Sequence, residues 1–158
     1  EWAKLLSGKI TVASLKIGVL FGPMDQHDKF TPGMIRRLLA HEAEIELTAG
    51  EQKRHFLYVA EAARIYRAVL ERIDDLPRSF NELNIGPGET YSVRDYIERL
   101  HRLTQSRSRL KFGALPYRDN EIMEPDADIS QLLRLGWKPG ITLEEALDKT
   151  IDYERGRA

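Results

Sequence analysis

At 158 residues the chain suits one compact domain, and a chain of that size buries roughly 68–70% of the surface it exposes when unfolded. Lysine and arginine total 24 against 25 aspartate and glutamate, a net charge of -1, so no bulk field is available to hold nucleic acid and any anion must be recognised locally. Without cysteine there is no disulfide framework or thiolate metal site; with no apolar run of about 18 residues and no secretory leader, no membrane partner is expected and the cytoplasm is the expected location.

In chain order, Trp2, Leu5 and Leu6 have helical spacing but no cap, as in the tail of a longer helix. Residues 9–21 then form a nearly continuous aliphatic run (Ile10, Val12, Leu15, Ile17, Val19, Leu20), the pattern of a strand buried on both faces of a parallel sheet. Gly22-Pro23 ends it, and residues 21–30 either border a crevice at the strand's carboxyl end or form an ordinary surface loop. Thr31 before Pro32 predicts an N-cap, followed by a short helix on Met34, Ile35, Leu38 and Leu39, with Arg36 and Arg37 solvated.

Residues 44–48 alternate as a short strand, Gly50 interrupts the chain, and residues 55–58 form another. Beyond Tyr58 the period becomes helical, and Val59, Ala62, Ala63, Tyr66, Leu70 and Ile73 are predicted on the core face. Residues 80–85 read as a strand. Gly86-Pro87-Gly88 is a turn and not a dinucleotide loop, which needs a third glycine opening a helix. Ser92 caps the next helix, with Tyr91 and Tyr96 as a hydrophobic staple and Val93, Ile97, Leu100 and Leu103 inward. Residues 107–112 are a basic strand, and Thr142 with Glu145 forms a capping box opening a last helix on Leu143, Ala146, Leu147, Thr150 and Ile151.

The segment 111–139 organises the rest. Pro116 forbids helix there, so Arg118 and Glu121 stand three residues apart on looped or extended backbone. Asp128 is placed to cap a helix carrying Ile129, Leu132, Leu133 and Leu135, which Gly136 closes in a left-handed conformation. No pair of histidines or carboxylates has metal-ligand spacing; Asp126 and Asp128 read as caps, His41 and His101 as solvated, His27 as an exposed loop residue or a substrate contact, and His55 as a strand residue or a substrate contact.

Four motifs now stand in order: Leu20-Phe21-Gly22-Pro23; Gly50-Glu51-Gln52-x-Arg54-x-Phe56-x-Tyr58-Val59; Pro116-Tyr117-Arg118-x-x-Glu121; and Ala127-Asp128-Ile129-Ser130 with Leu135-Gly136-Trp137-Lys138-Pro139. Together they resemble the C-terminal, substrate-binding part of an extended short-chain dehydrogenase/reductase, the nucleotide-sugar epimerase and dehydratase family. The resemblance implies an α/β fold: the last strand of a Rossmann-type sheet (residues 1–23) plus a small α/β lobe (24–158), with residues 50–85 returning to the Rossmann side.

The resemblance also implies roles. Arg54 and Arg118 match arginines that meet the substrate diphosphate, Glu121 matches an acidic position that accepts from ribose hydroxyls, and Ile45 and Leu47 lie on the strand edge whose backbone reads the base. Phe21, Gly22 and Pro23 lie near the expected cofactor boundary. Val19 departs from the asparagine that many relatives carry, and His55 and Glu61 from their acidic residues. No Tyr-x-x-x-Lys and no glycine-rich loop occur in the chain. NAD or NADP is therefore expected in a parent protein, which the resemblance gives as a homodimer, and not in the isolated chain; the partner is a nucleotide-diphosphate sugar. Two classes stay open: the substrate-binding portion of a NAD(P)-dependent enzyme, or a non-catalytic binding or interaction domain derived from one.

Overall fold

The structure, a computed structural model, describes residues 5, 8–125 and 128–156, so Trp2 and Leu6 of the expected leading helix, together with Asp126 and Ala127, lie outside it. The chain runs β1 (Val12–Ile17), β2 (Val19–Phe21), α1 (Phe30–Leu39), β3 (Glu44–Leu47), β4 (Lys53–Arg54), β5 (Phe56–Tyr58), α2 (Val59–Glu71), a 3-10 turn (Ile73–Asp75), β6 (Phe80–Ile85), β7 (Tyr91–Ser92), α3 (Val93–Thr104), β8 (Arg109–Phe112), α4 (Ser130–Arg134) and α5 (Leu143–Arg155). Among the described residues the strands join in parallel pairs β1–β6, β2–β5 and β3–β8, and in the antiparallel pair β4–β7.

The expected strand over 9–21 is two strands with different partners. They part at Gly18, where a Cβ would stand 2.8 Å from the His55 carbonyl; that close approach lets Val19 N–H donate to the same oxygen at 2.8 Å and turns β2 onto β5. Nor is β1 buried on both faces: Ile17 is 37% exposed.

Two apolar clusters form. The first collects Ile35 and Leu38 of α1, Ile45 of β3, Tyr96, Ile97 and Leu100 of α3, and Leu147 and Ile151 of α5. At its centre Tyr96 stacks on Phe56 with centroids 3.6 Å apart and meets Phe21 edge-on at 5.9 Å. The second joins Leu57, Ile65, Val69, Leu83, Leu132 and Trp137, with Ala13 and Leu15 of β1 against it.

Caps set the helix ends. The Ser92 hydroxyl accepts from Asp95 N–H at 3.0 Å, the Thr142 and Glu145 side chains exchange bonds with each other's backbone, and Gly136 takes φ 82°. Thr31 is not a cap. α1 starts two residues earlier, with Lys29 at the N-cap position, and buries the Thr31 hydroxyl, 3.0 Å from Tyr96 Oη, so a contact 65 residues away takes the group that would have capped the helix. Asp128 accepts from Ser130 N–H at 2.8 Å, ahead of a helix whose Leu132 is buried and Leu133 exposed.

The α2 face also differs from expectation. Ala62, Ile65 and Val69 turn inward, whereas Val59, Tyr66 and Leu70 are 41%, 45% and 68% exposed and Ala63 is exposed. The helix has apolar residues on two flanks, and only packing against Leu57 and Leu83 selects one. His101 is half-buried, its Nε2 2.9 Å from the Ser108 carbonyl.

Candidate functional site

The loop from β8 to α4 is fastened to the end of β3 and to β4. Leu115 N–H donates to the Leu47 carbonyl at 3.0 Å, Glu51 N–H to Tyr117 Oη at 3.0 Å, and Lys53 N–H to the Met123 carbonyl at 2.8 Å. Asn120 with φ 60° and Glu121 N–H donating to the Arg118 carbonyl at 3.2 Å shape the turn that presents Arg118 and Glu121. A proline-restrained loop thereby crosses the strand that carries Arg54.

Arg54 and Glu121 form an ion pair through Nη2 and Oε1, with both side chains about four-fifths buried. Arg54 Nη1 also donates to the Lys53 and Ile122 carbonyls, each at 2.6 Å, so the guanidinium keeps two of its five N–H bonds uncommitted. The Arg118 side chain is exposed and has no ion-pair or hydrogen-bond partner among the described residues. The two arginines thus differ: one is oriented and partly neutralised, the other available.

Both arginines and Glu121 line a cavity of about 450 Å3 that runs toward β3 and β8, with Leu47, Thr48 and Phe112 farther in. The same three side chains also line an open depression shared with Lys16 and Ile17 at the carboxyl end of β1. They therefore stand at the junction of two spaces: a partly apolar recess, and a shelf at the strand ends where α/β folds place ligands. Arg37 borders the recess, but Glu42 holds its fork at 2.6 Å on both contacts and keeps its pKa raised.

Of the residues named from the sequence, Arg54, Arg118, Glu121 and Leu47 meet at the 450 Å3 cavity. Ile45 is fully buried in the first cluster and is not in the cavity wall. Phe21 and Gly22 are buried; a Cβ on Gly22 would meet Val59 Cγ1 at 2.5 Å, so this glycine serves close packing, and Pro23 is half-buried beside it. Val19 lines the recess, and His55 is buried with Nδ1 3.1 Å from the Glu89 carbonyl. Gln52 and Thr48 also line the cavity, though sequence reasoning singled out neither; the signal for Gln52 was its place two residues before Arg54 on extended backbone.

A second cavity, about 420 Å3, opens between β5 and the start of α5, with Glu61, Glu89 and Glu144 at its edge. Each carboxylate is engaged: Glu61 by Arg64 at 2.5 Å and Gly140 N–H at 3.1 Å, Glu89 by the Tyr91 hydroxyl at 2.5 Å, and Glu144 by Arg99. Burial, with the Glu89 bond adding to it, pushes the Tyr91 phenol up to about 12, and complete burial pushes Tyr96 up further. Neither phenol is poised to ionise near neutrality.

No helix among the described residues is long and apolar enough to cross a membrane, and no cluster of three metal-ligating side chains occurs among them. Residues 5–86 match the NAD dependent epimerase/dehydratase family. The chain is 31% identical to CDP-abequose synthase of Salmonella typhimurium over 144 residues, covering 90% of this chain and 48% of that protein. It is 30% identical to UDP-glucuronic acid decarboxylase 1 of Danio rerio over 119 residues, 75% of this chain and 27% of that one.

Its fold superposes with a TM-score of 0.80 and 25% identity on UDP-glucuronic acid 4-epimerase from Bacillus cereus, solved with UDP-glucuronic acid and NAD, over 94% of this chain and 46% of that one. The chain spans about half the length of the abequose synthases it matches. The α/β architecture, the ordered motifs and the matched residues agree: the chain belongs to the NAD dependent epimerase/dehydratase family, the extended short-chain dehydrogenases/reductases.

Proposed function

We propose that this chain is the nucleotide-sugar-binding portion of a NAD(P)-dependent epimerase, dehydratase or reductase acting in the cytoplasm. The observation that carries the reading is the placement of Arg54, Arg118 and Glu121 where the β3/β8 recess meets the strand-end shelf. A nucleoside diphosphate sugar has that division: a flat, partly apolar nucleoside at one end, a polyhydroxyl ring at the other, and two phosphates between them.

The nucleoside enters the recess, the sugar lies on the shelf, and the diphosphate crosses the arginines. Arg118 offers a whole guanidinium fork to phosphate oxygens, and Arg54 offers its two uncommitted N–H bonds from an orientation fixed by Glu121 and two carbonyls. Glu121 retains acceptor capacity for a ribose hydroxyl beside the ion pair.

The cofactor would supply hydride chemistry, with the residues of this chain positioning the sugar against it. In this reading dinucleotide binding and the catalytic acid/base belong to another part of the protein, and Gly22 serves packing against Val59. The raised Tyr91 and Tyr96 phenols favour that division, because a phenolic base must lose its proton readily.

Calorimetric titration with nucleoside diphosphates and their sugars tests the reading. A charge-assisted bond to phosphate contributes about 1.5–3 kcal/mol, so Arg118→Ala should weaken binding by roughly ten- to more than a hundredfold. Arg118→Lys should restore part of the loss, since an ammonium keeps the charge and loses the bidentate geometry. Unchanged affinity in Arg118→Ala would sink the shared phosphate site.

A further inference from the structure

We propose that Glu121 is a selectivity residue: its carboxylate holds down the positive charge of the phosphate site, so that the site favours the sugar diester of a nucleoside diphosphate over the more highly charged free diphosphate. The inference rests on the reading above and adds a discrimination that the arginine pair by itself would not make.

A simple phosphate trap collects cations, whereas this one offsets them. Four cations line the recess and the shelf, and three are matched: Lys16 by Glu82 at 3.2 Å, Arg37 by both Glu42 oxygens at 2.6 Å, and Arg54 by Glu121. Arg118, the fourth, has no such partner among the described residues. Glu46 on the wall of the recess and Asp119 on that of the shelf add further negative charge. Of these carboxylates Glu121 lines both spaces, and its side chain is 19% exposed, so it faces whatever lies there. A diphosphate that crosses from recess to shelf passes Glu121 together with the two arginines.

The two ligands differ at that crossing by one charge. A nucleoside diphosphate sugar carries about two negative charges, one on each phosphate; the free diphosphate has a terminal group with a second pKa of about 6 and so carries nearly three at about pH 7.5. The additional charge sits on the terminal phosphate, where the sugar would be attached. A carboxylate about 6–8 Å away, in a setting partly open to water, opposes that charge by about three- to tenfold in affinity. Glu121 also orients Arg54, but orientation serves both ligands alike, so its charge shows in their ratio.

Glu121→Gln keeps the shape and an oxygen that accepts from Arg54, and removes the charge. In the protein carrying this chain, calorimetry with UDP and UDP-glucose at about pH 7.5 should show the ratio of their affinities moving about three- to tenfold toward UDP. A lost ribose contact would weaken both ligands and leave the ratio in place. Arg118→Gln should move the ratio the other way, toward UDP-glucose, because it removes the unmatched cation from an exposed position where the fold is not at stake. A ratio within about twofold of wild type in either variant, or a shift of the same sign in both, would overturn the assignment to charge. A wild-type protein that binds neither ligand would instead overturn the site reading, and this inference with it.

Discussion

The two apolar clusters are built from similar residues and finished differently. Around the first, α1, α3 and α5 enclose the core, and Ile35, Leu38, Leu100 and Leu147 are all completely buried. Around the second, Ile65 and Leu83 are equally buried, but α2 turns Val59, Tyr66 and Leu70 outward and β1 pairs with β6 alone among the described residues, with Ile17 at its exposed end. A helix that is apolar on opposite flanks and a strand paired on one edge are suited to contact on two sides, and one side here is covered by nothing described. The first cluster is a finished core; the second is a core and a joining surface at once.

Truncating the closed core should have the largest effect. Leu100→Ala removes a completely buried side chain from a wall that cannot collapse, and it should cost about 2–5 kcal/mol in chemical denaturation, whereas Leu70→Ala on the outer face of α2 should stay within about 0.5 kcal/mol. Equal losses at both positions would erase the contrast between the clusters.

Replacing Tyr66 and Leu70 together by lysine sharpens the comparison in another currency, self-association. Exposed apolar faces and unpaired edges drive association, so sedimentation of the chain should shift toward monomer while its denaturation midpoint barely moves. A large loss of stability would mean that this flank is packed inside the same molecule.

The smallest effect is electrostatic and belongs to the closed side. Thr142 N–H, together with the Thr142 hydroxyl, holds the Glu145 carboxyl below its ordinary range. The folded-state pKa is the lower one, so the contribution is present above the unfolded value near 4.3 and fades as pH falls through the folded value. Glu145→Gln should therefore lower stability slightly at pH 7 and flatten its decline below about pH 4.5, as read from melting temperatures across that range. An unchanged acid limb would show that the capping box carries no pH dependence.

Much of this was legible in the residues. The caps at Ser92 and Thr142, the left-handed Gly136, the alternation of Glu44–Leu47 and the inward face of α3 all follow from interactions within a few positions. The motif order carried family and fold for a similar reason, since each motif meets a local need: a turn, a cap, or a cation next to an aromatic anchor. Arg54, Arg118 and Glu121 were readable as site candidates because their motifs resemble those of the family, and a guanidinium fork suits phosphate oxygens.

Tertiary structure decided whatever depended on residues far apart. Arg54 meets Glu121 across 67 positions, which leaves Arg118 as the freer cation; nothing in either local sequence distinguishes them. Thr31 lost its capping role to Tyr96, and α2 took the face that fits Leu57 and Leu83, because burial in a shared core outweighs a cap worth about 1 kcal/mol or a choice between two similar flanks. Gln52 is the clearest instance. The motif marked its position, and only the fold shows that its carboxamide oxygen is buried without a hydrogen-bond donor among the described residues.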